Sequence, residues 1–299
     1  MKSKILNINQ LMMITLAIAA ISSCKKDGNP NKLPSVSTAA YAGTIDGYKS
    51  SDEIFPNNLV AFWSFDTDTK EIKSGSAPTS MANNTLIDGG VRGKALSLNG
   101  GYLYYATQFS AFKAAAFTSF TISTWVQILN NGATKTMLFQ ISRPGMMNGN
   151  LDFILETNAN ATSNTDRISI HPYFTTAGGG RQDNINNYGA INLSPKIGAA
   201  KWTNILLTYD GSSGVFNIWA DGVKMGNYPN RGTGKNLFKS WEPNEVIIGG
   251  NYNVIPGKSV NSDASFAAMK GNIDEIRIFN KALPDAHIKA LFNLGLAGK

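Results

Sequence analysis

KWTNILLTYDGSSGVFNIWADGVKMGN, residues Lys201 to Asn227, is the stretch on which the fold turns. Apolar residues recur at every second position in Trp202 to Tyr209, in Val215 to Ala220 and in Val223 to Tyr228. That period of two is the mark of strands with one face buried. Between the second and third runs stand Asp221 and Gly222, two residues that tolerate the positive φ angles of a type I′ hairpin turn. The polar segment Asp210 to Gly214 turns the chain between the first and second. Three strands in a meander follow directly.

Outward from this meander the same pattern repeats. Further strands are expected at Leu59 to Phe65, Ala95 to Leu98, Tyr102 to Tyr105, Phe120 to Ile128, Thr136 to Ile141, Leu151 to Leu155, Arg167 to His171, Glu245 to Ile248 and Ile273 to Phe279. One helix is expected at Pro284 to Leu294: Pro284 suits the first helical position, Asp285 complements the N-terminal dipole, and Ile288, Leu291 and Phe292 make one stripe before Gly295. No repeat of solenoid or propeller length is visible, so residues 59–299 read as one all-β domain.

Composition agrees. Of 299 residues 42% are hydrophobic and only 16% charged, against about a quarter in an average domain. That excludes a disordered chain and disfavours long helical bundles. The net charge of +7 falls to +5 once Lys2 and Lys4 are removed with a leader, and no basic run exceeds Lys25 and Lys26. Nucleic acid is therefore not an expected partner.

The leader is residues 1–23: basic Lys2 and Lys4, an apolar run from Leu11 to Ile21, then Ser22 and Ser23. A run of eleven residues is too short to span a bilayer, which takes about 20. Ile21, Ser22, Ser23 and Cys24 resemble the lipobox of bacterial lipoproteins, in which the cysteine thiol carries diacylglycerol and becomes the first residue. Cys24 is also the single cysteine. Residues 24–58 read as lipidated cysteine, polar tether and lead-in. The expected location is the outer membrane and cell surface of a Gram-negative bacterium, with contact to the bilayer through the lipid alone.

Four segments in order resemble the laminin G-like, concanavalin A-like jelly-roll family: LVAFWSFD (Leu59 to Asp66) with GGVRGKALSLNGGYLYY (Gly89 to Tyr105), FTISTWVQI (Phe120 to Ile128), Lys201 to Asn227, and GNIDEIRIFNKALPDAHIKALF (Gly271 to Phe292). The resemblance implies a two-sheet antiparallel jelly-roll sandwich with one short C-terminal helix and with first and last strands adjacent. It does not imply a reaction, because one sandwich carries lectins, adhesion modules and glucanases alike.

Glycosidases on this sandwich are expected to show two carboxylates close together on one strand, as Glu-x-Asp-x-Glu or Glu-x-Asp-x-x-Glu. Neither pattern occurs. Asp152 and Glu156 stand four residues and roughly 13 Å apart along a strand, too far for a retaining pair. Asp274 and Glu275 are adjacent and should face opposite ways. All four read as solvated carboxylates. His171 and His287 are the only histidines and form no metal motif; His171 reads as structural or surface. The chain is expected to be no enzyme.

Sugars are held by aromatic rings and by amide, carboxylate and guanidinium groups. The glycine-rich stretch from His171 to Tyr188 carries that mixture, making Tyr173, Arg181, Gln182, Asp183, Asn184 and Tyr188 candidate ligand residues, with Phe174 read as a core anchor. Trp241 and the loop residues Asn251 and Tyr252 are further candidates, whereas Trp63, Trp125, Trp202 and Trp219 sit in strand patterns and are expected in the sandwich interior. The reading is a non-catalytic module capturing a polysaccharide or other glycan. The alternatives are a protein-binding adhesion or scaffold module, with other surface lipoproteins as partners, and a glycoside hydrolase. Finally, the family resemblance brings Asp66 and Asp274 to one point of the rim, where they could hold a structural calcium ion; otherwise Asp66 caps a turn and Asp274 pairs with Arg277.

Overall fold

The meander forms as expected. In the computed structural model, which describes residues 43–186, 194–225 and 232–299, Asp221 and Gly222 both have positive φ, 47° and 73°. The Asp221 carboxylate also accepts from the Asn204 N–H at 2.9 Å and from Lys201 Nζ at 2.9 Å, so the turn is tied to the neighbouring strand. Cys24, the leader, most of the tether and Tyr188 lie outside the described residues, as do the last residues expected of the third meander strand.

In chain order the strands are β1 (Leu59–Trp63), β2 (Ser80–Asp88), β3 (Lys94–Tyr105), β4 (Phe120–Gln127), β5 (Lys135–Arg143), β6 (Met146–Leu155) and β7 (Tyr173–Thr175). They continue as β8 (Arg181–Asp183), β9 (Thr203–Asp210), β10 (Val215–Ala220), β11 (Val223–Met225), β12 (Glu245–Ile248), β13 (Phe266–Ala267) and β14 (Met269–Phe279), followed by α1 (Asp285–Leu296). Hydrogen bonding runs β11-β10-β9-β4-β14-β3-β12-β5-β6-β7-β8, with β1 also on β14 and β2 on β3. First and last strands are thus neighbours, Leu59 opposite Phe279 and Trp63 opposite Ile276. All pairings are antiparallel except β13 with β5.

The long β3 lets one hydrogen-bonded sheet serve as two layers. Its first part pairs β14 and its last residues, Leu103 to Tyr105, pair β12. Between the layers lie Phe120, Ile122 and Val126 of β4, Leu151, Phe153 and Leu155 of β6, Ile205, Leu207 and Tyr209 of β9, and Phe174 of β7. This is a jelly-roll sandwich. The outer face of the β4–β9–β10 layer is apolar as well, since Trp219, Leu206 and Phe279 pack beneath Ile288, Leu291 and Leu294 of α1. Residues 44–58 supply Ile54 to the same cluster. Among the described residues no helix is long and apolar enough to cross a membrane.

Several expectations change. The two short strands expected at Ala95 to Leu98 and Tyr102 to Tyr105 are one strand. Arg167 to His171 is not a strand but an isolated bridge, Leu155 to Ile170. Pro284 is the N-cap and α1 runs through Gly295 to Leu296. Trp125 and Trp219 are buried under the helix, on the outer side of their layer, and Trp202 is half-buried, its indole N–H donating to Gly89 O at 3.1 Å.

Candidate functional site

The outer face of the other layer is where polar chemistry gathers. Strand alternation puts Leu151, Phe153 and Leu155 inward, so Asp152 and Ile154 point outward. Register then sets their neighbours: Asp152 lies opposite Gln140 of β5 and Tyr173 of β7, Tyr173 opposite Asp183, and Thr175 opposite Arg181. One face therefore carries Asp152, Tyr173, Arg181 and Asp183.

Asp152 is fully buried there, which overturns its reading as a solvated carboxylate. Its Oδ1 accepts from Gln140 Nε2 at 2.8 Å and from the Gly149 N–H at 2.7 Å, and Oδ2 lies 3.6 Å from Arg181 Nη1. Burial outweighs these partners and pushes its pKa up to about 6. Arg181 also donates to Asn148 O at 2.9 Å and keeps about a third of its side chain exposed, 31%.

At the adjoining end His171 stands between two carboxylates. Its Nδ1 meets Glu156 in a short hydrogen bond, and its Nε2 meets Asp183 Oδ1 at 2.6 Å. Glu156 is buried too, a second correction, and takes Lys135 Nζ at 2.9 Å. Burial opposes its ionisation, but the hydrogen bonds from His171 and Lys135 prevail and hold it below the usual carboxylate range. Tyr173 packs its ring edge-on to His171, centroids 4.6 Å apart. Burial first, then Asp183, Glu156 and Asp152, pushes its hydroxyl up to about 12, so it stays a neutral donor. Of the three carboxylates only Asp183 is open to solvent, with 61% of its side chain exposed.

The remaining candidates fall elsewhere. Gln182 points to the other side of β8 and donates to Asn236 O. Asn184 is buried, its N–H bonded to Pro172 O at 3.1 Å. Trp241 is half-buried and borders the face: its N–H donates to Asn150 Oδ1, its indole N–H to Thr176 O, and Lys239 Nζ sits 3.8 Å from the ring centroid. Asn251 and Tyr252 are buried rather than presented on a loop surface. Asn251 caps a short 3-10 turn, and the Tyr252 hydroxyl is held by Glu245 and Ser142, so both serve the packing of Tyr102, Tyr104 and Ile247. Sequence reasoning passed over Asp152, Glu156, His171 and Lys135 as site residues, although the outward phase of Asp152 on β6 was readable.

Asp66 and Asp274 do converge, on the turn 89–94. Asp66 Oδ1 accepts from the Lys94 N–H at 3.1 Å. Asp274 Oδ2 accepts from Val91 and Arg92 at 2.7 and 3.2 Å, and its Oδ1 from Glu275 at 2.8 Å. A Cβ on Gly90 would come within 2.7 Å of Asp274 Oδ2, so the turn needs glycine for the approach. Asp274 thus accepts from three backbone N–H groups and Asp66 from one; a calcium ion held between them would need further oxygen ligands, such as backbone carbonyls of the turn. Burial, then the charge of Glu275, pushes Asp274 up to about 8. Both acids are buried, not solvated, and a bulge puts Glu275 at φ 52°. Arg277 pairs with Glu275 at 2.6 Å and with Asp52 at 2.7 Å instead of with Asp274.

The sequence matches a known family model over residues 99–289. The chain belongs to the concanavalin A-like lectin/glucanases superfamily, in its laminin G-like group. No curated protein sequence matches it. Among solved structures of similar fold, the binding domain of Paraclostridial Mosquitocidal Protein 1 aligns with a TM-score of 0.53 at 15% identity, over 79% of this chain and 52% of that one. Trypanosoma rangeli sialidase in complex with sialic acid aligns with a TM-score of 0.53 at 15% identity, over 95% of this chain and 39% of that one. The botulinum neurotoxin serotype G binding domain gives 0.52 at 14%, over 79% and 51%. The chain spans only part of each of these proteins, and at such identities the likeness is one of fold.

Proposed function

We propose that the chain is a non-catalytic carbohydrate-binding module whose ligand lies on the outer face of β6, β7 and β8. The observation that carries this reading is the convergence of Tyr173, Arg181 and Asp183 from two short neighbouring strands onto one face. An amphipathic ring flanked by an exposed guanidinium and an exposed carboxylate offers a sugar both a surface to stack on and hydrogen-bond partners. Hydrolysis by a carboxylate pair would need two accessible acids; here Asp152 is sealed off, Glu156 is engaged by Lys135 and His171, and Asp183, the one exposed acid of the three, is bonded to His171. The superfamily's range of sugar-related folds supports the class of ligand without naming it.

Titration of the purified chain against a panel of immobilised glycans tests this. Tyr173→Ala and Arg181→Ala should each weaken the best ligand by about 1 to 3 kcal/mol, the first with little change in melting temperature and the second, which uncovers buried Asp152, with a lower one. Equal affinity in both variants would remove the site from this face, and release of reducing ends by the wild type would make the module an enzyme.

The location we propose is a membrane surface, with a lipid on Cys24 and the tether holding the module clear of the headgroups. Growth with labelled palmitate should label the wild type and not Cys24→Ser. Labelling that persists in the variant would end this reading.

A further inference from the structure

His171 is buried, yet both of its ring nitrogens meet carboxylates: Nδ1 meets Glu156 in a short hydrogen bond and Nε2 meets Asp183 Oδ1 at 2.6 Å. An ionised carboxylate only accepts, and a neutral imidazole has a single N–H to donate. Lys135 and the ring hold Glu156 in its ionised form, and Asp183 stands in water with 61% of its side chain exposed. Two donated hydrogen bonds therefore call for the imidazolium, whose charge also strengthens both.

The ring sits in the middle of a lacing of backbone bonds. To one side of it the Asn184 N–H donates to Pro172 O at 3.1 Å. To the other, the Asn186 N–H donates to Ile170 O at 3.1 Å, and the Ile170 N–H donates to Asn186 Oδ1 at 2.6 Å. The His171 N–H in turn donates to Ile154 O of β6 at 2.8 Å. Residues 183–186 are thus tied to 170–172 and through them to β6, with the contact between Asp183 and His171 as the charged tie.

Charged and titratable groups approach from each strand around the ring: Lys135 of β5 on Glu156, Asp152 of β6 and Arg181 of β8 beside Tyr173, and Tyr173 of β7 edge-on to the imidazole. Once the ring loses a proton, one nitrogen turns a lone pair toward a carboxylate. Glu156 keeps Lys135 and stays; Asp183 has water to turn to and lets go. Ionisation of Asp152 acts in the opposite sense, because its charge draws Arg181 and β8 inward.

We propose that His171 is a proton-operated latch, closed as the imidazolium, that ties residues 183–186 to the end of β6 and releases Asp183 when the ring proton leaves. Asp183 is one of the groups assigned to the ligand face, so the latch makes that face complete only in its protonated state. This consequence rests on the reading of that face; the latch itself does not, and its test uses no ligand.

The test is nuclear magnetic resonance on the full chain at pH 5 and pH 9, either side of the ordinary imidazole range. Long-range proton–nitrogen spectra count the ring protons of His171, and amide hydrogen exchange, set against the intrinsic rate at each pH, reads local opening. At pH 5 both ring nitrogens should carry protons. Protection of the Asn184 and Asn186 amides should fall about tenfold or more from pH 5 to pH 9, the scale of one charge-assisted hydrogen bond. The amides of β9, in the middle of the sheet, should keep their protection at both. An asparagine at 183 donates to a bare Nε2 or accepts from a protonated one, so Asp183→Asn should stay folded and lose the pH dependence. A ring with one proton at pH 5, equal protection of the two amides at both pH values, or a dependence kept in full by Asp183→Asn would each overturn the proposal.

Discussion

Asp152 shows what a single buried group does to the whole chain's pH response. Its folded pKa of about 6 lies above the ordinary value of 3.8. Between those values the folded state holds more protons than the unfolded state, so stability falls as pH rises and levels off above about 6. The span corresponds to roughly 3 kcal/mol at most. Asp152→Asn keeps an oxygen for Gln140 and the Gly149 N–H and removes the ionisation. The difference in melting temperature between variant and wild type should therefore grow in the variant's favour from pH 4 to pH 6 and then stay constant; a flat difference across that range would show that Asp152 does not titrate as described. From sequence this residue read as solvated, because alternation predicts which way a side chain points but not what covers it. The covering here is Gln140 from β5 and Arg181 from β8, brought together by pairings across 12 and 29 positions.

At the scale of elements, legibility followed the strength of the local pattern. The Asp-Gly hairpin, Glu245 to Ile248 and the closing helix were readable because turn chemistry, alternation and capping all agreed. Strand β2 was not: SMANNTLID is rich in asparagine, and no residue of the strand is fully buried, so its apolar period is faint. Asn251 and Tyr252 looked like loop residues because a short 3-10 turn carries no period at all. The helix itself rests on close contact. Phe292 stacks on Trp125 with centroids 5.6 Å apart and planes 15° apart, and a Cβ on Gly295 would overlap the same indole. Gly295→Ala should gain helix propensity yet still lose about 1 to 3 kcal/mol through overpacking, read as a lower midpoint in urea. A midpoint equal to or above wild type would mean that α1 shifts freely over its layer.

For the molecule as a whole the open matter is what clamps its ends, since β1 and β14 are adjacent and residues 44–58 pack beside them. The structure answers with hydrogen bonds and ion pairs. Asp66 and Asp274 grip the 89–94 turn from two sides, while Asp52 takes Arg92 and Arg277 across the strands. Burial works against the charge on Asp52, yet its hydrogen bond from Arg92 and the charge and hydrogen bond of Arg277 keep it below the usual range, so this clamp is ionic at neutral pH. The Asp274 carboxylate already accepts from three backbone N–H groups, which hold the turn without a cation. Melting curves in excess calcium and in chelator should therefore superimpose. If calcium were held in the folded state alone, a concentration one hundred times its dissociation constant would add about 2.7 kcal/mol and move the midpoint by several degrees. Such a shift, lost in Asp66→Asn, would place a cation between the two aspartates and require the turn to present carbonyl oxygens where it now presents N–H groups.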